Sequence, residues 1–276
     1  MNQQLKKMFT TNRILYVTTV GMFVLSILFL VGLQLDHRTI LNINPWIKPL
    51  KFSMSILIYT LTMIYLLQFH TPLEQAQLSR KIAAAMWIEM ILVAVQALRG
   101  VSSHFNDSSI GNSIVFAVMG IAILYNTWVM AKITFRFFKN PPKDFSQNQL
   151  QAIRLGLVLF LLGCLEGAYM SSGKGHTVGA ADGGPGLSFL NWSTVAGDLR
   201  ISHFLGLHGI QVLLALYFLS NYLFHRFSTA RKVQITSGIL HSAFVFVLFL
   251  TVFSFGQAIA GKSSSFVRSQ PSQLSE

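Results

Sequence analysis

The sequence predicts an all-α fold, a seven-transmembrane helix bundle with a Gly-rich extracytoplasmic loop between the fifth and sixth helices. Of its 276 residues, 52% are hydrophobic and only 11% are charged, where soluble domains carry about 25%. The apolar residues also fall into discrete stretches, each near the ~20 residues that cross a ~30 Å hydrocarbon layer. A mean hydropathy of +0.54 agrees. Together these exclude an ordinary soluble domain.

Uninterrupted apolar stretches place the spans at about 14–34, 47–69, 82–99, 110–135, 151–170, 200–222 and 234–258. The remaining connections and tails are too short for a soluble domain, so residues 1–276 read as a single integral membrane domain. The first span follows Lys6, Lys7 and Arg13. It is longer than a signal-peptide core and lacks a small-residue cleavage site, so it reads as a retained helix. No internal repeat of polar residues is visible, which weakens an inverted-repeat transporter.

A net charge of +12 would suggest nucleic acid in a soluble protein. In a membrane protein the distribution of Lys and Arg counts instead, and nucleic acid is not an expected partner. The N-terminus and the connections after spans two, four and six hold 13 basic residues, and the opposite side holds 8. That bias predicts a bacterial cytoplasmic (inner) membrane protein with its N-terminus in the cytoplasm and its C-terminus outside. Cys164 is the only cysteine, so an intrachain disulfide is excluded, and its apolar setting favours packing.

Sorting polar residues by side concentrates titratable groups of both signs at the outer helix ends. In Asn44-Pro45-Trp46-Ile47-Lys48-Pro49-Leu50-Lys51, Asn44 can cap a helix with Pro45 at its first position. Lys48 and Lys51 then share a face, either snorkelling to lipid headgroups or, with Arg99 and Arg200, binding an anion. The third connection carries His104, with Asp107 or Ser108 available to cap span four.

The fifth connection, 171–199, is long and structureless by pattern, with seven glycines but also Leu187, Phe189, Leu190 and Trp192 to bury. It reads as a re-entrant or lid-like loop over the helix ends, carrying His176 and Asp182 near Glu166, with Asp198 capping span six. Along span six, Arg200, His203, His208 and Gln211 form one polar face entering the membrane. An ionisable group there is either functional or a histidine hydrogen-bonded between helices. Deeper still, Glu89 and His241 each lie seven residues into their spans from the cytoplasmic side, as a structural clasp or a proton relay.

The blocks from Asn44 to Phe52, from Arg99 to Asn106 and from Gly175 to Gly179, continuing through Asn191-Trp192-Ser193 and Gly197-Asp198-Leu199-Arg200 to His208, resemble an uncharacterised family of bacterial multi-pass membrane proteins. The resemblance implies a bacterial cytoplasmic membrane and no activity. Seven-helix metal hydrolases of the ceramidase and adiponectin-receptor type share the helix count. Their closing His-x-x-x-His is absent here, so their zinc site is not carried over.

Two functions are expected. The first is a membrane-embedded enzyme or redox protein acting on an amphiphilic substrate, with His104, His176, Asp198, His203 and His208 as catalytic residues. Haem b or a divalent metal would support it, the metal held by some of His104, His176, His203 and His208. Lys48, Lys51, Arg99, Glu166, Asp182, Arg200 and Gln211 would bind the ligand. The i,i+5 spacing of His203 and His208 does not suit one metal. The second is a proton-coupled transporter or sensor that takes a small anionic ligand from outside, with Glu89 and His241 as the relay.

Overall fold

A computed structural model describes residues 12–142, 145–173 and 175–264. Of the basic residues counted above, Lys6, Lys7, Lys143, Lys174 and Arg268 lie outside these. The fold is all-α. Its helices are α1 (Arg13–Leu35), α2 (Ile47–Leu67), α3 (Pro72–Leu98), α4 (Ile110–Lys139), α5 (Gln147–Ser172), α6 (Leu199–Leu223) and α7 (Thr229–Ile259). All seven are long and apolar enough to cross a membrane, as expected for a multi-pass membrane protein. Two-residue strands β1 (Thr177–Val178) and β2 (Gly197–Asp198) pair antiparallel between α5 and α6.

Three helices begin before the apolar stretches that announced them. The predicted third span, 82–99, is the later part of α3, which starts at Pro72. Thr71 and Glu74 form a reciprocal capping box there with Pro72 in the first turn, so a polar segment is helical on capping chemistry rather than on hydrophobicity. Glu89 is therefore seventeen residues into its helix and only nine from its C-terminal end. Helices α5 and α7 likewise gain polar first turns, after Ser146 and Ser228.

At α2 the expected cap shifts. The helix starts at Ile47 with Trp46 in the cap position, and Asn44, two residues before that position, accepts at Oδ1 from the Trp46 N–H at 2.9 Å. At α4 the capping residue is Ser109, whose Oγ accepts from the Asn112 N–H, in place of Asp107 or Ser108. Asn106 has already taken the Ser108 N–H.

The chain divides into two compact units, one ending at Val129 and the other beginning at Met130. In the first, α1 and α2 pack antiparallel and α3 packs on both. Two hydroxyl pairs set the α1–α2 register: Thr19 Oγ1 lies 2.8 Å from Thr60 Oγ1, and Ser26 Oγ lies 2.7 Å from Ser53 Oγ. Each pair is seven residues from the next on both helices, so one seam carries both, in surroundings where a bare hydroxyl is costly. Gly21 and Gly32 leave room on α1 for the Trp87 and Trp46 rings. Tyr59 donates to Asn126 Oδ1 at 3.0 Å, tying α2 to α4.

In the second unit α5, α6 and α7 pack together, with α5 and α6 in the closest approach. Gly156, Gly163 and Gly167 on α5 face Ile210, Gly206 and His203 on α6. With no side chain in the way, the two backbones come into direct van der Waals contact, the usual device for joining helices in lipid.

A Cβ built on Gly163 would stand 2.6 Å from Leu207 N, and one on Gly206 would stand 2.7 Å from the Gly163 Cα. Backbone atoms cannot step aside, so Gly163→Ala and Gly206→Ala are each expected to destabilise by about 1–3 kcal/mol, the usual penalty of overpacking. Gly238→Ala, with nothing within 4 Å, should leave thermal denaturation of the detergent-solubilised protein unchanged.

Candidate functional site

In the first unit the chemistry gathers where the 36–46 and 99–109 connections meet the helix ends. Asp36, the C-cap of α1, accepts from Arg38 Nε at 2.9 Å, from Arg38 Nη2 at 2.6 Å and from Trp46 Nε1 at 2.9 Å. The Arg38 guanidinium holds the Asp36 carboxyl well below the usual carboxylate range, and Asp36 in turn raises Arg38. Arg38 Nη1 also donates to the Leu98 carbonyl at 3.1 Å, a cation at the negative end of α3.

Below this lies Glu89, whose side chain is 3% exposed. The 100–109 connection turns back through two left-handed residues, Gly100 (φ 73) and Phe105 (φ 52), and lowers His104 onto it. His104 Nε2 stands 3.5 Å from Glu89 Oε1, while Nδ1 lies 3.1 Å from Ser103 Oγ. Phe52, Phe105 and Phe116 ring the imidazole at 5.6–6.2 Å between centroids. Glu89 Oε2 has no hydrogen-bond partner among the described residues. Lys48 lies close by, its Nζ 5.9 Å from the centre of the Phe52 ring.

Glu89 and His241, expected as a clasp or relay, belong to different units and are described each by itself. Glu89 has His104 as its histidine. His241 belongs to the second unit, with Nδ1 lying 2.7 Å from Gln151 Nε2 and 3.0 Å from the Ser237 carbonyl oxygen. Arg99 Nη1 donates to Gln96 Oε1 at 2.6 Å and to Asn112 Oδ1 at 3.0 Å, stitching the end of α3 to the start of α4.

In the second unit the connection 173–198 has structure of its own. Beyond the β1–β2 pair it carries an isolated bridge between Gly186 and Ser193, with Phe189 and Asn191 at positive φ. Gly197 packs directly on Ala258 at the end of α7, where any Cβ would strike the carbonyl. His176 Nδ1 sits 2.8 Å from Asp182 Oδ1, and the Thr177 N–H donates to the same carboxylate at 3.0 Å. Burial works to raise Asp182, but hydrogen bonds from His176 and Thr177 outweigh it and leave the carboxyl well below its ordinary range. Burial lowers His176, with Asp182 opposing.

Asp198 caps α6 as expected, accepting from the Arg200 N–H at 3.0 Å and from Ser193 N at 2.7 Å. Its fully buried carboxylate also takes Arg200 Nε at 2.9 Å and Nη2 at 2.6 Å, and Arg200 donates on to the Asn191 carbonyl. On α6, His203 Nδ1 donates to the Gly163 carbonyl at 2.7 Å, and Gly167 leaves space for the ring. His208 packs at a tilt against Phe204, 4.4 Å between centroids, and is hydrogen-bonded with Gln211. Glu166 on α5 is buried beside Ser202.

No family model, curated protein or solved structure matches the chain. Function therefore rests on this geometry. His176, Asp182, Asp198, Arg200, His203, His208, Gln211 and Glu166 are all in the second unit, and Lys48, Lys51, Glu89, Arg99 and His104 in the first. Among the described residues no three His, Cys, Asp or Glu side chains converge as a metal site would require. Phe52, Ser103, Asn112, Phe116 and Ser202 are contributors that sequence patterns did not single out. For the seating of His203, Gly163-x-x-x-Gly167 was the available signal.

The His176–Asp182 pair carries a pH dependence. Asp182 has a lower pKa in the folded state than unfolded, so its stabilisation is full above the unfolded value and lost as pH falls through the folded one. His176 is also lowered, so acid that protonates it below its ordinary 6.5 favours the unfolded form. Protection factors of the amides in 175–198, with the intrinsic exchange rate at each pH divided out, should therefore fall as pH drops from 7 toward 3, and Asp182→Asn should flatten the part of that response below pH 4.

Proposed function

We propose that the chain is a proton-coupled membrane protein, a transporter or sensor of a small anionic ligand, in which Glu89 binds the proton and His104 exchanges it with the aqueous side. The observation that carries this reading is a carboxyl buried in a helix interior, one oxygen facing an imidazole and the other without a partner among the described residues. An ionisable group so placed in a membrane span is expensive unless it serves function. The proton leaves Glu89 Oε1 for His104 Nε2, turning a neutral acid and a neutral imidazole into a carboxylate and an imidazolium. It then departs from His104 to water. At 3.5 Å the pair needs a shift of a few tenths of an ångström to close the hydrogen bond. Lys48, with Lys51 one turn on, supplies the attraction for an anion.

A second reading, an enzyme acting on an amphiphile, draws on the His176–Asp182 pair, where a carboxylate orients an imidazole as in acid–base sites. Neither reading routes a step through haem or a divalent metal.

We place the N-terminus in the cytoplasm of a bacterial inner membrane and the C-terminus outside, on the excess of Lys and Arg in the corresponding connections. Alkaline phosphatase fused after residue 262 should be active and its fusion after residue 140 inactive; the opposite pattern overturns the orientation.

Infrared difference spectra of the purified protein in lipid vesicles, taken between alkaline and acid pH, test the proton site. Glu89→Gln should remove one protonated-carboxyl component. His104→Asn should keep it but slow its appearance after a pH jump on the order of tenfold or more. A spectrum untouched by Glu89→Gln sinks the reading. Phosphate and acetate serve as probe anions: either should perturb the wild-type titration and leave that of a Lys48→Gln, Lys51→Gln double variant unmoved.

A further inference from the structure

Glu166 takes no part in the proton path above, yet it shares the property that singled out Glu89. It lies on α5 six residues before the helix end, about 9 Å in at 1.5 Å per residue. The residue is 5% exposed, and Oε2 has no hydrogen-bond partner among the described residues.

Its surroundings select a protonation state. The neighbour on α6 is Ser202, whose Oγ donates its one proton to the Leu199 carbonyl at 3.1 Å. While its proton stays on that carbonyl the hydroxyl has only lone pairs to offer, so it accepts from a carboxylic acid and solvates a carboxylate only by turning away from Leu199. Among the described residues, the charged and titratable groups nearby offer no countercharge. Arg200 is held by Asp198, and His203 Nδ1 by the Gly163 carbonyl. His208 lies further along α6 with Gln211. Between Val247 and Ala258, α7 has no titratable residue, although Phe255 reaches α5 at the Tyr169 ring, 5.4 Å away. On α5 itself only Cys164 and Tyr169 are near in sequence, and His176 is paired with Asp182 in the connection beyond.

We propose that Glu166 is a second proton-binding site, separate from Glu89, with the neutral acid donating to Ser202 Oγ. Loss of the proton leaves a carboxylate whose nearest source of a hydrogen bond is the Ser202 hydroxyl. Supplying it withdraws that hydroxyl from the Leu199 carbonyl in the first turn of α6, directly after the Asp198 cap and β2. The proton thus couples to the anchoring of the 173–198 connection.

The test uses the full chain in lipid vesicles. In infrared difference spectra, Glu166→Gln should abolish one protonated-carboxyl component, Glu89→Gln a different one, and the double variant both. Ser202→Ala should shift the Glu166 component in frequency without removing it, and this measurement stands even if Glu166→Gln does not fold. A component that vanishes in Glu89→Gln but not in Glu166→Gln, with no effect of Ser202→Ala, overturns this proposal and leaves the Glu89 reading intact. The reverse pattern overturns the Glu89 reading alone. A carboxylate band at Glu166 that responds to sodium at constant pH would assign the site to a metal cation and overturn proton binding.

Discussion

Hydrocarbon offers no hydrogen bonds, so each polar group carried into the membrane must find its partner within the protein. That requirement organises both units. It pairs Thr19 with Thr60 and Ser26 with Ser53 across α1 and α2, sets Tyr59 on Asn126, and turns His203 onto a backbone carbonyl of α5. Because so many polar side chains meet it, the two buried carboxyls that leave an oxygen unmatched among the described residues stand out, Glu89 on α3 and Glu166 on α5. Dispersion and close contact supply the rest, concentrated where glycine lets α5 and α6 touch backbone to backbone.

The same requirement reassigns the cations. Arginines at helix ends look like an anion site when only their positions are known. Three of them are instead committed at short range: Arg38 to Asp36 and the Leu98 carbonyl, Arg99 to Gln96 and Asn112, Arg200 to Asp198 and the Asn191 carbonyl. Arg38 and Arg200 clasp a helix-capping aspartate two residues away and fasten it to a carbonyl further off. These arginines order the connections.

Hydrophobic run length disclosed all seven helices, because crossing a bilayer imposes a length that composition reveals directly. It misjudged the start of α3, where Thr71 and Glu74 make a polar segment helical through capping. The Asp198 cap was legible as a short-range rule, whereas Asn44 and Ser109 differ from expectation by one or two residues, the margin within which neighbouring Asn, Asp and Ser compete for the same N–H groups. The partner of Glu89 was not legible. His104 reaches Glu89 from a connection that folds back through left-handed residues, and a periodicity argument does not describe such a path. The seat of His203 had a visible sign in Gly163-x-x-x-Gly167.

The α1–α2 hairpin has a consequence for how the chain is made. Its two hydroxyl pairs, its Trp46 ring lying on Gly32 and its short connection all join residues that leave the ribosome close together. Both partners of each hydroxyl pair are present before α3 is synthesised, so this hairpin can close its register as soon as its second helix is complete. During biogenesis it is a ready template, with Gly21 open on one face to receive the Trp87 ring when α3 arrives.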